Sequence, residues 1–161
     1  MSFLQEPSKS NGYLSDHVKL LCDSLRSLTG RELIPPEHQG TDAAKFLYFA
    51  PFVVVSHNNR SDPIFNYGNR VALDLFEMSW AEFTVLPSRQ SAEPPNREMR
   101  SQLLQSVSTR GYVDHYAGMR ISKSGKRFWI DDVTVWNLVD AQGTYQGQAA
   151  TCNQWKFIED R

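Results

Sequence analysis

Leu14, Val18, Leu21, Leu25 and Leu28 recur at spacings of 4, 3, 4 and 3. That is the period of one face of a helix. Ser15 can cap its start, Gly30 can close it in a left-handed turn, and Pro35-Pro36 prevents its resumption. Further on, Phe46 to Ser56 is aromatic and β-branched and reads as a strand. His57 to Pro63 is turn chemistry, and Ile64 to Tyr67 is a second, short strand. Asn69 can cap a short helix carrying Val71, Ala72, Leu75 and Phe76. Ser79 with Glu82 three residues later is a capping box for another, Trp80 to Val85. Pro87 ends it, and Ser88 to Pro95 reads as a loop. Asn96 can then cap a longer helix with Met99, Leu103, Leu104 and Val107 on one side and Gly111 at its end. The remaining chain predicts three antiparallel strands, Tyr112–Ser122, Lys126–Val139 and Tyr145–Ile158, joined by turns at Lys123–Lys126 and Asp140–Gly143. The order is helix, two strands, three helices, three strands. Such an α+β arrangement buries one sheet face under the helices. The other face is also rich in large apolar groups, so the N-terminal helix or a partner must cover it.

Composition narrows the class. The chain has 161 residues, 40% of them hydrophobic and 22% charged, enough apolar material for one domain with a real core. The net charge of −1 gives no positive field for nucleic acid or an anionic membrane. No apolar run approaches the ~18 residues of a membrane span. Residues 1–12 are polar and lack a secretory signal. Cys22 and Cys152 form no CxxC pair, which suits reduced thiols in a cytoplasmic protein. The domain reading is a flexible tail over 1–13, an amphipathic helix and linker over 14–41, and a sheet domain over 42–161.

The stretch FVVVSHNNRSDPIFNYGNRVALDLFEMSWAEF (52–83) resembles the opening of a PAS domain, and SKSGKRFWIDDVTVWNLVDAQG (122–143) resembles its hairpin. More narrowly, DPIFNYGNRVALDLFEMSW, LPSRQSAE, Gly111 to Tyr116, GKRFWIDDVTVWNL and GQAAT with its following Trp are similar to the MEKHLA family, a PAS-like group. That family ends plant class III homeodomain–leucine-zipper regulators and also occurs as free-standing bacterial, often cyanobacterial, proteins. The helix at 14–30 with its SLTGREL ending looks like the bacterial members. The resemblance covers about residues 14–158. It implies a five-stranded antiparallel sheet with short helices on one face, a pocket between them, and a sensory or interaction role.

Such a pocket can hold flavin, haem or a small organic acid. The flavin-binding, light-sensing branch of the PAS group uses a Cys in the segment that reads LPSRQSAE here, so adduct chemistry is excluded. Two Asn of that branch match Arg120 and Ile130 in this chain, which leaves at most a non-covalent flavin. For haem, the helix from Asn96 to Arg110 offers no His, and His115 alone lies on a pocket strand. No metal-ligand spacing is present. The sequence therefore requires no cofactor. If the hairpin turn Ser124-Gly125-Lys126 has three residues, Arg120 and Ile130 share a face, with Asp132 next along it. A two-residue turn would pair Arg120 with Trp129 instead. Charges on that face need each other, or an ionic ligand such as a carboxylate or phosphate.

The pocket candidates are Asn66, Phe76, Trp80, Arg89, Tyr116, Arg120, Ile130, Asp132, Trp136 and Ala149. Leu14, Val18, Leu21, Leu25 and Leu28 have the spacing of a coiled-coil seam, and a homodimer joined by these helices and the outer sheet faces is the expected assembly. No P-loop, Rossmann or nucleophile-elbow motif is present. The expected function is a PAS-like module that binds a small ligand, a partner protein or both, and signals by contact. The alternatives are a small enzyme using Arg120 and Asp132, and a purely structural dimerisation domain.

Overall fold

The structure is a computed structural model and describes residues 5–159. In chain order its elements are α1 (Ser15–Thr29), α2 (Gly40–Tyr48), β1 (Val53–His57), β2 (Phe65–Gly68), α3 (Arg70–Phe76), α4 (Trp80–Phe83), α5 (Pro94–Arg110), β3 (Tyr112–Ile121), β4 (Arg127–Val139), β5 (Tyr145–Cys152) and β6 (Gln154–Ile158). Short 3-10 turns occupy Lys9–Leu14 and Ser88–Ser91. The strands form one antiparallel sheet in the order β2-β1-β5-β4-β3, with β6 also on β4. The expected last strand breaks at Asn153. Both halves keep β4 as partner, through Thr134↔Thr151 and Asp131↔Gln154.

One sheet face packs on α3 and α5. The other is covered by α1. Val18, Leu21 and Leu25 are at most 4% exposed, inside the same core as the sheet residues Val54, Trp136 and Leu138. Burying each such side chain stabilises by roughly 1.5–3 kcal/mol. Polar contacts fix the docking. The Trp136 indole N–H donates to the Leu21 carbonyl at 3.2 Å, and Ser24 Oγ accepts from Val139 N at 3.0 Å. His17 Nε2 lies 2.9 Å from Ser56 Oγ. The dimer-seam reading of this stripe is therefore corrected. Val18, Leu21 and Leu25 are buried against their own sheet, while Leu14 and Leu28 are half-buried against the same core.

Three elements differ from expectation. Residues 46–48 continue a helix, because Ala44, Leu47 and Tyr48 repeat at helical spacing and are buried together. Aromatic richness alone suggested a strand there. Next, α5 starts at Pro94, where the ring presets helical φ, and not at Asn96. Its buried residues are Arg100, Leu103 and Val107, while Met99 is 64% exposed. Finally, residues 9–13 of the expected tail, in a 3-10 turn with Leu14, lie against α2, and Tyr48 Oη donates to Glu6 at 3.1 Å. Residues 1–4 of that tail and 160–161 of the expected domain lie outside the described residues.

The hairpin between β3 and β4 decides what faces the helices. Its three-residue loop is Lys123-Ser124-Gly125, one residue earlier than expected, with Gly125 at φ 92° and Ser122 N donating to Lys126 O at 2.9 Å. The register is Arg120↔Phe128 and Gly118↔Ile130. This is shifted by two residues from the three-residue expectation, so the parity is unchanged and Arg120 shares its face with Ile130. Asp132 does not follow. The ladder is irregular on either side of Tyr116, and His115 and Asp132 take positive φ values of 56° and 50°. The irregularity turns Asp132 to solvent, where it bonds His115 Nδ1 at 2.6 Å, and Val133 takes the inward place.

Candidate functional site

Alternation along β1 sends Val53, Val55 and His57 to the helix-covered face, and on β5 the same face receives Gln148, Ala150 and Cys152. From β4 come Phe128, Ile130, Val133 and Val135, and from β3 Tyr116 and Arg120. Phe76 of α3 and Arg100, Leu103 and Leu104 of α5 close the space. The result is a cavity of about 90 Å³. It is well below the roughly 300–1,000 Å³ of pockets for cofactors and drug-sized ligands.

Most of the wall is apolar, which makes its polar members informative. Arg100 and Arg120 are 7% and 8% exposed. Arg100 donates through Nη2 to Ser88 Oγ at 2.5 Å. Ser88 is itself wholly buried, held because its N–H donates to Pro63 O at 2.8 Å and its carbonyl accepts from Ser91 Oγ at 2.7 Å. Arg120 donates to its neighbour's carbonyl, Met119 O, at 2.8 Å and to Tyr116 Oη at 3.3 Å, and its guanidinium lies 5.6 Å from the Tyr116 ring centroid. Among the described residues, neither arginine forms an ion pair with a carboxylate. Burial pushes the Arg100 pKa down to about 10, and the nearby charge of Arg120 acts in the same direction. His57 is 7% exposed. Its Nδ1 lies 2.9 Å from the Asn58 carbonyl, which can only accept, so the proton sits on Nδ1 and Nε2 is a bare acceptor. Nε2 is buried without a hydrogen-bond partner. Burial lowers the His57 pKa, which keeps the ring neutral. Cys152 borders the same space, and burial raises its thiol to about 11, so it is protonated and unreactive at neutral pH.

The expected pocket residues divide. Phe76, Tyr116, Arg120 and Ile130 line the cavity, while Ala149 borders it from between the inward Gln148 and Ala150 and shares its row with Trp136 on the other face. Asn66 instead accepts from Ser56 Oγ at 2.5 Å, and Trp80 packs edge-on to Tyr67. Arg89 is exposed and pairs with Asp62 at 3.1 Å. Asp132 is exposed at the bulge. Trp136 lies under α1 on the opposite face, because it pairs with Ala149 and Tyr112 in the row that α1 covers. Arg100, His57 and Gln148 are polar members among those not anticipated. The signal for Arg100 was its place three and seven residues before Leu103 and Val107, and for His57 its alternation with Val53 and Val55.

A flavin does not fit these residues. The space is too small, Arg120 and Ile130 stand where the resemblance places two Asn, and LPSRQSAE has no Cys. Among the described residues, no three His, Cys, Asp or Glu side chains converge on a metal position. Among the described residues, no helix is long and apolar enough to cross a membrane.

A family model, the MEKHLA domain, matches residues 15–157. The chain belongs to the MEKHLA family. The match takes in α1, which agrees with that helix sharing the core of the sheet. This MEKHLA chain is similar to the homeobox-leucine zipper protein ATHB-9 of Arabidopsis thaliana, 22% identical over 103 residues. That alignment covers 64% of this chain and 12% of the plant protein, so the likeness concerns a small part of the latter. Among solved structures, the PAS domain of a protein from Colwellia psychrerythraea superposes with a TM-score of 0.59 at 16% identity, covering 71% of this chain and 92% of that one. A light-oxygen-voltage domain studied with a flavin analogue gives 0.57 at 18% identity, covering 73% and 84%. These likenesses show a PAS-like fold.

Proposed function

We propose that this MEKHLA domain senses a small molecule in the cavity between α5 and the sheet, and passes occupancy to a partner protein by contact. We read it as a cytoplasmic module, in keeping with two unpaired cysteines. The observation that carries the reading is the cavity itself. It is apolar over most of its wall, yet His57 Nε2 is buried there without a hydrogen-bond partner, and Arg100 and Arg120 are buried there with one and two protein acceptors. Purely structural cores satisfy such groups. A ligand that meets them in one conformation and not another shifts the balance between the two by its differential affinity. Helix α5 is placed to respond, since it contributes Arg100 and Leu103 to the wall and Val107 O accepts from Asn137 of β4 at 3.1 Å.

The test is a two-dimensional amide and methyl NMR screen of the full chain against small neutral, cationic and anionic metabolites. At least one compound should shift the methyls of Val133, Val135 and Leu103 together and raise Tm. Ala150→Leu, which fills the cavity from β5, should abolish that response. If no compound moves these methyls, or Ala150→Leu leaves the response intact, the sensing role is wrong.

A further inference from the structure

We infer that the cavity takes a small hydroxycarboxylate, its carboxylate held by the guanidinium groups of Arg100 and Arg120 and its hydroxyl donating to His57 Nε2. The inference rests on the sensory reading above and specifies its ligand class. Each guanidinium carries five N–H donors. On protein acceptors Arg100 uses one and Arg120 two, among the described residues. Two cations therefore border one small, mostly apolar space with most of their donors unmet and no carboxylate beside them. Like charges this enclosed disfavour each other, and an anion between them removes both the repulsion and the unmet donors. The lowered pKa of Arg100, with Arg120 among its causes, is the electrostatic sign of this arrangement.

Three further features narrow the anion. The volume of about 90 Å³ admits only a few heavy atoms. The walls of Phe76, Phe128, Ile130 and Val133 suit carbon and not a fully hydrated inorganic oxyanion. His57 Nε2 is an acceptor, so it repels an oxygen lone pair and needs a donor on the ligand. A short carboxylate with a neighbouring hydroxyl meets all three demands. Inorganic phosphate meets only the charge.

Calorimetric titration of the full chain with glycolate, acetate, glycolamide and inorganic phosphate tests this. Glycolate should bind best. Acetate, lacking the hydroxyl, should bind several-fold more weakly, and neutral glycolamide at least tenfold more weakly, as expected for loss of a charge-assisted contact. Arg100→Met and Arg120→Met should each weaken glycolate at least tenfold. The comparison of the four compounds on the unaltered protein stands whether or not either variant folds. Glycolamide or phosphate binding as tightly as glycolate would overturn the inference, as would acetate binding equally well or glycolate failing to bind. In each of those cases a neutral or cationic compound that shifts the cavity methyls would leave the sensory reading standing. Absence of any such shift would end both.

Discussion

Asn69 is wholly buried, and all its side-chain hydrogen-bonding groups are used. Oδ1 accepts from Val54 N at 3.1 Å and from Ala72 N at 3.3 Å. Nδ2 donates to Leu47 O at 3.1 Å and Phe52 O at 2.7 Å. One amide thus caps α3 and ties it to the end of α2 and the start of β1, the strand that carries His57 into the cavity. If Asn69 were only a helix cap, Ser would replace it at almost no cost. A Ser side chain can still reach the first turn of α3, but it strands Phe52 O and Val54 N, while Leu47 O keeps the Ala50 N–H at 3.2 Å. Each unmet buried group costs about 1–3 kcal/mol. Allowing for partial rescue by a water molecule in the vacated space, Asn69→Ser should lose about 2 kcal/mol or more, and Asn69→Ala about 1 kcal/mol beyond that for the cap. A domain of this size has about 5–15 kcal/mol in total. Asn69→Asp keeps both acceptor contacts but sets a carboxylate against two carbonyl oxygens, so it should be no better than Ser at pH 7. The assay is urea unfolding followed by tryptophan fluorescence, with the midpoint falling and the slope unchanged. A Ser variant within about 0.5 kcal/mol of the unaltered protein would refute the bridging role and reduce Asn69 to a cap.

Other expectations follow from single contacts. Burial pushes the His17 pKa down to about 4, below the ~6.5 of an unfolded chain, so the fold favours the neutral ring. Its contribution is complete above pH 6.5 and falls as the pH drops toward 4. At pH 4.5 the unaltered protein should therefore have lost about 2.5 kcal/mol more than His17→Gln, relative to pH 7, and equal losses would contradict this. At Gly147, φ is 138° and an added Cβ would lie 2.0 Å from the His57 carbonyl oxygen, so Gly147→Ala should prevent β1 and β5 from closing and leave little folded protein by circular dichroism. Ser79 Oγ accepts from Glu82 N at 3.1 Å while Glu82 Oε1 accepts from Ser79 N at 3.0 Å, so Ser79→Ala should lower stability by about 1 kcal/mol in the same urea assay.

The parts of this fold that could be read from the chain are those fixed by neighbours in sequence. The capping box at Ser79 and Glu82, the Asn69 cap, the Gly30 terminator and the Gly125 turn each declare themselves within four residues, and the structure has all of them. The α1 stripe was equally legible, but not its partner. A 4-3-4-3 spacing says that one face is buried and nothing about whether the burying surface is another chain or the chain's own sheet. Trp136 decided that here, since its indole reaches Leu21 across 115 positions of sequence.

The cavity was the harder inference, and for a physical reason. Which residues face inward on β3 and β4 depends on every residue between the turn and the position in question. The turn moved by one residue and the register by two, which cancelled in parity and kept Arg120 inside. The irregularity at His115 and Asp132 did not cancel, and it exchanged a charged residue for Val133. On α5 the choice between Met99 and Arg100 was one of phase. Apolarity favoured Met99, but spacing to Leu103 and Val107 favoured Arg100, and the spacing won. That outcome has a consequence for function. The helix keeps a cation on its buried face where a methionine one position away shows that an apolar residue was available to the sequence. With no carboxylate from the described residues beside it, the arginine weakens the empty fold at neutral pH, the state in which a base with a lowered pKa is still charged. Such a position makes physical sense if, as proposed above, the cavity binds an anion.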